Sequence, residues 1–272
     1  MEPLIRLTSF LIIFTSMSLW ELRRPYRRLS QLRRKHWSIN LGLTALNSLL
    51  VWITVGGVSY ATACFAAAQG VGMLYWFALP EWAAVILTLL VLDCTVYVQH
   101  ILFHAVPLLW RLHRVHHADL DFDATTGLRF HPIEIFLSLG LKAAVITLVG
   151  ATPWAVVAFE VLLNALSVFN HGNVALPLRI DWWLRWLLVT PDMHRIHHSM
   201  QEMETNSNFG FSVSWWDRLC GTYRAEPTLG RDRLEIGLRD YPALLTLRQL
   251  LLSPFHCDTG RYPFAGIRPI HV

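Results

Sequence analysis

Histidine is an uncommon residue, yet this chain writes His-Arg-x-His-His twice, as "HRVHH" from His113 to His117 and "HRIHH" from His194 to His198. On a helix, positions i, i+3 and i+4 share one face. His113, His116 and His117 have that spacing, His194, His197 and His198 repeat it, and His100 and His104 sit at i and i+4. Each short helical piece therefore presents two or three imidazoles to one side. Such clustering has no packing benefit, whereas neutral imidazole is the commonest metal ligand. A zinc site takes about four ligands, so these eight rings are too many for one ion. They predict two ions, each with four or five nitrogens and room for oxygen or water. Imidazole suits iron, zinc, copper or nickel. Zinc has no redox chemistry, while iron beside lipid has access to the dioxygen dissolved there. No His-Glu-x-x-His protease motif occurs.

Other histidines divide by position. His171, in "FNHGN", is expected as a ninth ligand. His131 precedes Pro132, where a helix should begin, and is expected to orient another ring rather than to bind metal. His36, His256 and His271 are expected to be ordinary surface groups.

These rings must be carried by membrane helices. The chain of 272 residues is 54% hydrophobic and 15% charged, where soluble domains carry about 25% charge. Apolar runs cover 3–20, 40–68 and 71–98, and 134–170 reads as a tight hairpin turning at Gly150 and Pro153. Arg6 should snorkel to the interface. Arg23, Arg24, Arg27, Arg28, Arg33, Arg34 and Lys35 crowd one stretch, which places 21–39 in the cytoplasm. One crossing out and one back returns the chain there near His100, and the hairpin starts and ends there. Every histidine group should therefore share the cytoplasmic face.

The net charge of +4 comes from that crowding rather than from a spread basic surface, which argues against nucleic acid. Cys64, Cys94, Cys220 and Cys257 form no metal or disulfide pattern, and no cleavable leader is evident. "RIDWWLRWLLV" should lie at the interface, with Trp182, Trp183 and Trp186 among the headgroups.

The expectation is one all-α integral membrane domain with a dimetal site at its cytoplasmic face. Its parts are the N-terminal spans and basic loop (1–84), the histidine-bearing region (85–225) and a cytoplasmic tail (226–272). Asp93, in an apolar span with Tyr97 one turn on, should contact Lys142 or share a water-filled cavity with it. Asn208 and Asp217 are expected to hydrogen-bond near the last histidine box. Glu134 and Glu204 are expected to be solvated or interfacial. The apolar spans should form a slot from the bilayer to the metals.

"HILFH", "HRVHH" and "HRIHH" resemble the three histidine boxes of the fatty acid hydroxylase/sterol desaturase superfamily. So do the flanks "LLWRLHRVHH", "TTGLRFHPIE", "TPDMHRIHHS" and "NSNFGFSVSWWDRLCGTY". The likeness covers roughly 85–225 and is greatest to the bacterial sterol-desaturase-like branch, although "LCGTY" stands where the family often has Phe. It implies a non-haem di-iron enzyme, in the bacterial inner membrane, that uses dioxygen to hydroxylate or desaturate a lipid, with about four transmembrane helices and a cytoplasmic, histidine-rich helical cap holding the metals. It carries the metal role onto the eight box residues and His171, with zinc an expected misloaded occupant after purification. No cytochrome b5-like stretch is visible, so electrons should come from a separate ferredoxin-like or cytochrome b5-like donor with its reductase. The rival readings are a structural or sensing zinc pair and a membrane haem protein.

Overall fold

A computed structural model describes residues 1–256 apart from 78, 242 and 243. Cys257, His271 and the end of the expected 226–272 tail lie outside the described residues. Helices α1 (Glu2–Arg23), α2 (Arg33–Thr54), α3 (Val58–Gln69), α4 (Glu81–Ala105), α5 (Pro107–His117), α6 (Pro132–Val149) and α7 (Pro153–Asn170) form the body. Shorter helices follow: α8 (Leu178–Leu184), α9 (Pro191–His197), α10 (Glu202–Thr205), α11 (Trp215–Leu219) and α12 (Leu247–Leu252). Among the described residues no strand forms, only isolated bridges such as Leu188–Val213.

Among the described residues, five stretches are long and apolar enough to cross a membrane: α1, Arg33–Trp76, α4, α6 and α7. The expected hairpin supplies two of them, each of 18 residues and so about 27 Å long, close to the bilayer's apolar thickness. Its turn lies where Gly and Pro placed it. Gly150 caps α6 at φ 73°, and Pro153 opens α7.

Two boundaries differ from the sequence reading. The 40–68 run breaks between α2 and α3, where Gly56 takes φ 51°. The next helix starts at Glu81 rather than near 71. Gly70 ends α3 in the left-handed region and Pro80 caps α4, so the residues between cannot continue a helix.

Small residues let the helices close. Ala63 and Ala66 of α3 are wholly buried, and Ala63 shares a core with Leu92 and Val96 of α4, Ile146 of α6, and Val156 and Phe159 of α7. Large apolar side chains face outward instead, including Leu11, Trp52, Phe65, Trp82 and Leu148. Trp182, Trp183 and Trp186 are exposed on and just after α8.

Candidate metal centre

The sharpest local device is Pro107. Proline cannot sit inside a continuing helix, so α4 ends at Ala105, Val106 is extended, and Pro107 opens α5. The chain thus turns back, and His113, His116 and His117 face His100 and His104. Thr190 caps α9 by accepting a hydrogen bond from the Met193 N–H, with Pro191 at its first position. That sets His194 and His197 on α9 and His198 at its end. His171 caps the end of α7.

All nine rings are buried and fall into two groups. One contains His100, His104, His113, His117 and His197; the other contains His116, His171, His194 and His198. Within each group the ligand atoms lie within 4.8 Å of one another. Both His-His doublets straddle the groups, sending His117 and His197 to one and His116 and His198 to the other. Neighbouring residues on a helix point about 100° apart, which suits a doublet to two adjoining centres.

The nitrogens fit a cation better than they fit each other. His100 and His113 bring Nε2 atoms to 3.1 Å, as do His116 with His171 and His171 with His194. Eight further ring nitrogens are buried with no hydrogen-bond partner: Nε2 of His104 and His197, Nδ1 of His116 and His194, and both nitrogens of His117 and His198. Each buried unpaired group costs about 1–3 kcal/mol, and a bound cation would remove that cost at one nitrogen of each ring. Burial also keeps the rings neutral, the form that ligates. It pushes His113 down to about 3 and His171 down to about 4. His116, His117, His194, His197 and His198 lie well below the ordinary value, through burial and then neighbouring imidazoles.

Several rings are aimed by a second contact. Nδ1 of His100 lies 2.8 Å from the Phe209 carbonyl, that of His197 2.7 Å from the Ser207 carbonyl, and that of His171 2.8 Å from the Ser167 carbonyl. His104 Nδ1 faces Asn206 Oδ1 at 3.2 Å, and His113 Nδ1 faces Glu134 Oε1 at 2.6 Å. An acceptor on Nδ1 holds the proton there and turns the Nε2 lone pair inward.

Glu134 is therefore no interfacial group, as expected from sequence, but a buried partner of His113. Glu204 is buried too and accepts from the Thr228 N–H at 2.5 Å. His131 stands outside both groups. It caps α6 by accepting from the Ile133 N–H, and its other nitrogen faces the Leu251 carbonyl, so the ring-orienting contact is made by Glu134.

The expected tail residues brace the last box through backbone. Asp217 accepts from the N–H groups of Phe209 (2.7 Å) and Gly210 (2.8 Å) and from the Thr222 hydroxyl (2.6 Å). Burial lifts its carboxyl to about 6. It thus acts on His100 only through Phe209. Asn208, at φ 52°, donates to the carbonyls of Met193 and Arg224 and ties this loop to α9. The Tyr97 hydroxyl meets Thr222 at 2.9 Å.

Asp93 does not pair with Lys142. It accepts from the Trp216 indole at 2.9 Å and from the Val213 N–H, while Lys142 faces a cavity with Arg6 and Glu160. Nor does Arg6 simply snorkel, because it forms ion pairs with Glu160 at 2.5 Å and Glu2 at 3.4 Å.

His36 is the largest departure. It is fully buried rather than superficial, with Nε2 2.7 Å from Asp119 and Nδ1 3.4 Å from Asp123. Asn40 donates to Asp119 at 3.1 Å, and Arg129 joins Asn40 and Asp119. Burial alone would raise the Asp119 carboxyl, but His36 and Arg129 hold it well below the usual range. Asp119 lies two residues past His117, so this network anchors the end of α5. His256 is exposed, as expected.

A cavity of about 450 Å³ adjoins the centre among α2, α4, α6 and α7. Glu134 and Ser167, the partners of His113 and His171, line it. The expected slot is apolar over most of its lining, through Val51, Val96, Leu139 and Leu163, but it also carries a polar stripe of Ser48, Gln99, Ser138, Lys142 and Asn164.

Membrane-length helices around two buried histidine groups define an all-helical protein with the donor set of a metal centre. The sequence pattern of the fatty acid hydroxylase family matches residues 85–222, and the chain belongs to that family. It is similar over most of its length to ornithine lipid hydroxylase OlsE of Rhizobium tropici. The two are 28% identical over 261 residues, which cover 93% of this chain and 76% of that protein. Alkylglycerol monooxygenase of Xenopus tropicalis is 31% identical over 141 residues, 52% of this chain and 30% of the relative. Human cholesterol 25-hydroxylase is 31% identical over 144 residues, 52% of this chain and 51% of the relative. The chain thus spans about a third of the length of the first of these two and about half of the second. No solved structure matches. With its apolar helices and these relatives, the chain is an integral membrane protein.

Proposed function

We propose that this protein is an oxygen-dependent hydroxylase that acts on a C–H bond of a membrane lipid, with the nine histidines holding two iron ions. The observation that carries this reading is the division of nine buried, neutral imidazoles into two adjoining groups beside a cavity among the spans. Iron bound there would supply the activation of dioxygen. The chain's own residues do the rest. Glu134, Asn206 and the carbonyls of Ser167, Ser207 and Phe209 retain the Nδ1 protons and fix the rings. Helices α4, α6 and α7 exclude bulk water, and the cavity wall orients the lipid.

Hydroxylation is favoured over desaturation because the relatives named above are hydroxylases and a monooxygenase. Electrons would arrive from a separate ferredoxin-like or cytochrome b5-like protein. The basic stretch from Arg23 to Lys35 favours the cytoplasmic face of a bacterial inner membrane for the centre.

The test begins with metal content and a Mössbauer spectrum on protein purified gently with iron supplied. Lipid mass spectra after incubation with reductant and isotopic dioxygen then follow. Two irons per chain and one labelled oxygen in a lipid are expected. Two zinc ions with iron-loaded protein inert toward every lipid would favour a structural metal pair instead.

A further inference from the structure

The polar part of the cavity wall is ordered. On α6, Glu134, Ser138 and Lys142 follow at i, i+4 and i+8; on α7, Glu160, Asn164 and Ser167 do nearly the same. Each stripe ends at the histidine centre, through Glu134 on His113 and Ser167 on His171. Each also carries a charged residue at its far end. Lys142 lies eight residues from Glu134, about 12 Å along the helix.

The pairing at that end is uneven, because Arg6 engages both acids, Glu160 and Glu2. Glu160 is taken by Arg6 in an ion pair of 2.5 Å. Lys142 makes no ion pair or hydrogen bond with any described residue, although it lines the same space. An unpaired ammonium within an apolar span is costly, and such groups mark binding pathways when they face a cavity. Asn47, Ser48, Gln99 and Asn164 add hydrogen-bonding capacity that a hydrocarbon or a lone alcohol would leave unused.

We propose that Lys142 receives the anionic group of the substrate, so that this enzyme selects an acidic amphiphile, bearing a carboxylate or a phosphate, over neutral lipids. This deepens the lipid-hydroxylase reading and rests on it for the word substrate. The attacked carbon would then lie on the order of 12 Å from the anionic group, the separation of Lys142 from Glu134 along α6.

The test is equilibrium binding to the full-length, iron-loaded protein in neutral detergent, without reductant. The probes are radiolabelled palmitate, phosphatidate, an alkylglycerol and cholesterol. The anionic probes should bind more tightly than the neutral ones. Lys142→Met should weaken the anionic probes by about thirtyfold or more, as loss of one member of a buried charge pair does, while Lys142→Arg restores them. Preference for palmitate assigns a carboxylate, preference for phosphatidate a phosphate, and either supports the site. Neutral probes that bind as tightly as anionic ones in the unaltered protein would overturn it, as would a folded Lys142→Met that binds anions normally. Because no turnover is read, tight anion binding with no lipid ever oxidised would remove the hydroxylase function and leave the anion site standing.

Discussion

The two histidine groups share α5 and α9, yet they are held by different forces. In the five-ring group, His100, His104, His113 and His197 each set Nδ1 against a fixed acceptor. In the four-ring group only His171 does so. Its other members are placed by packing. His116 stacks on Phe130 at 4.6 Å and 11° between planes, and His198 packs against Phe122 at 5.1 Å. A hydrogen bond fixes which nitrogen carries the proton, whereas stacking fixes only the ring plane. The five-ring group therefore presents a preset lone-pair array and should hold its ion more tightly. The four-ring group keeps more freedom to shift.

Several substitutions test that contrast. His197→Ala removes a ligand from the braced group and should abolish lipid oxidation with loss of one of the two metals, read by elemental analysis. Asp119→Asn strikes the network beneath α5 that serves both groups. It should cost about 3 kcal/mol of stability, as breaking a buried ion pair does. Thermal unfolding of the metal-free protein measures this, and metal binding should weaken at both sites together. Glu134→Gln should weaken only the tighter of two binding steps, by about 10–100-fold, in a titration of metal-free protein. Equal weakening of both steps would erase the distinction between the groups. Asn206→Ala, which removes a longer contact of 3.2 Å, should cost about tenfold or less on that same step.

Much of this centre was legible in the chain because ligands on one helix face have a fixed spacing. The three boxes and the hairpin turn at Gly150 and Pro153 follow from local rules about helices. The partners of those residues do not. His36 gives no local signal, since its burial depends on Asp119 and Asp123, more than eighty residues away in sequence. Glu134 and Glu160 could have been found, because a lone acid in an apolar run implies a partner. For Asp93 the same rule points to Lys142, whereas its partners Trp216 and Val213 come from a loop whose path the sequence does not reveal. The polar part of the cavity wall was hidden for a related reason. It combines single polar residues from several helices, each unremarkable within its own apolar run.

The doublets that straddle the two groups also impose an order in time. The braced group is complete only with His197 and the other only with His198, which lies 98 residues after His100. At about 5–20 residues per second, roughly 5–20 s separate the emergence of the first and last ligands from the ribosome. Through that interval α6 and α7 are made and inserted while partial sets of imidazoles wait without their partners. A metal could thus load only among the last events in the protein's biosynthesis, and the ions available at that moment would decide which one the finished centre takes.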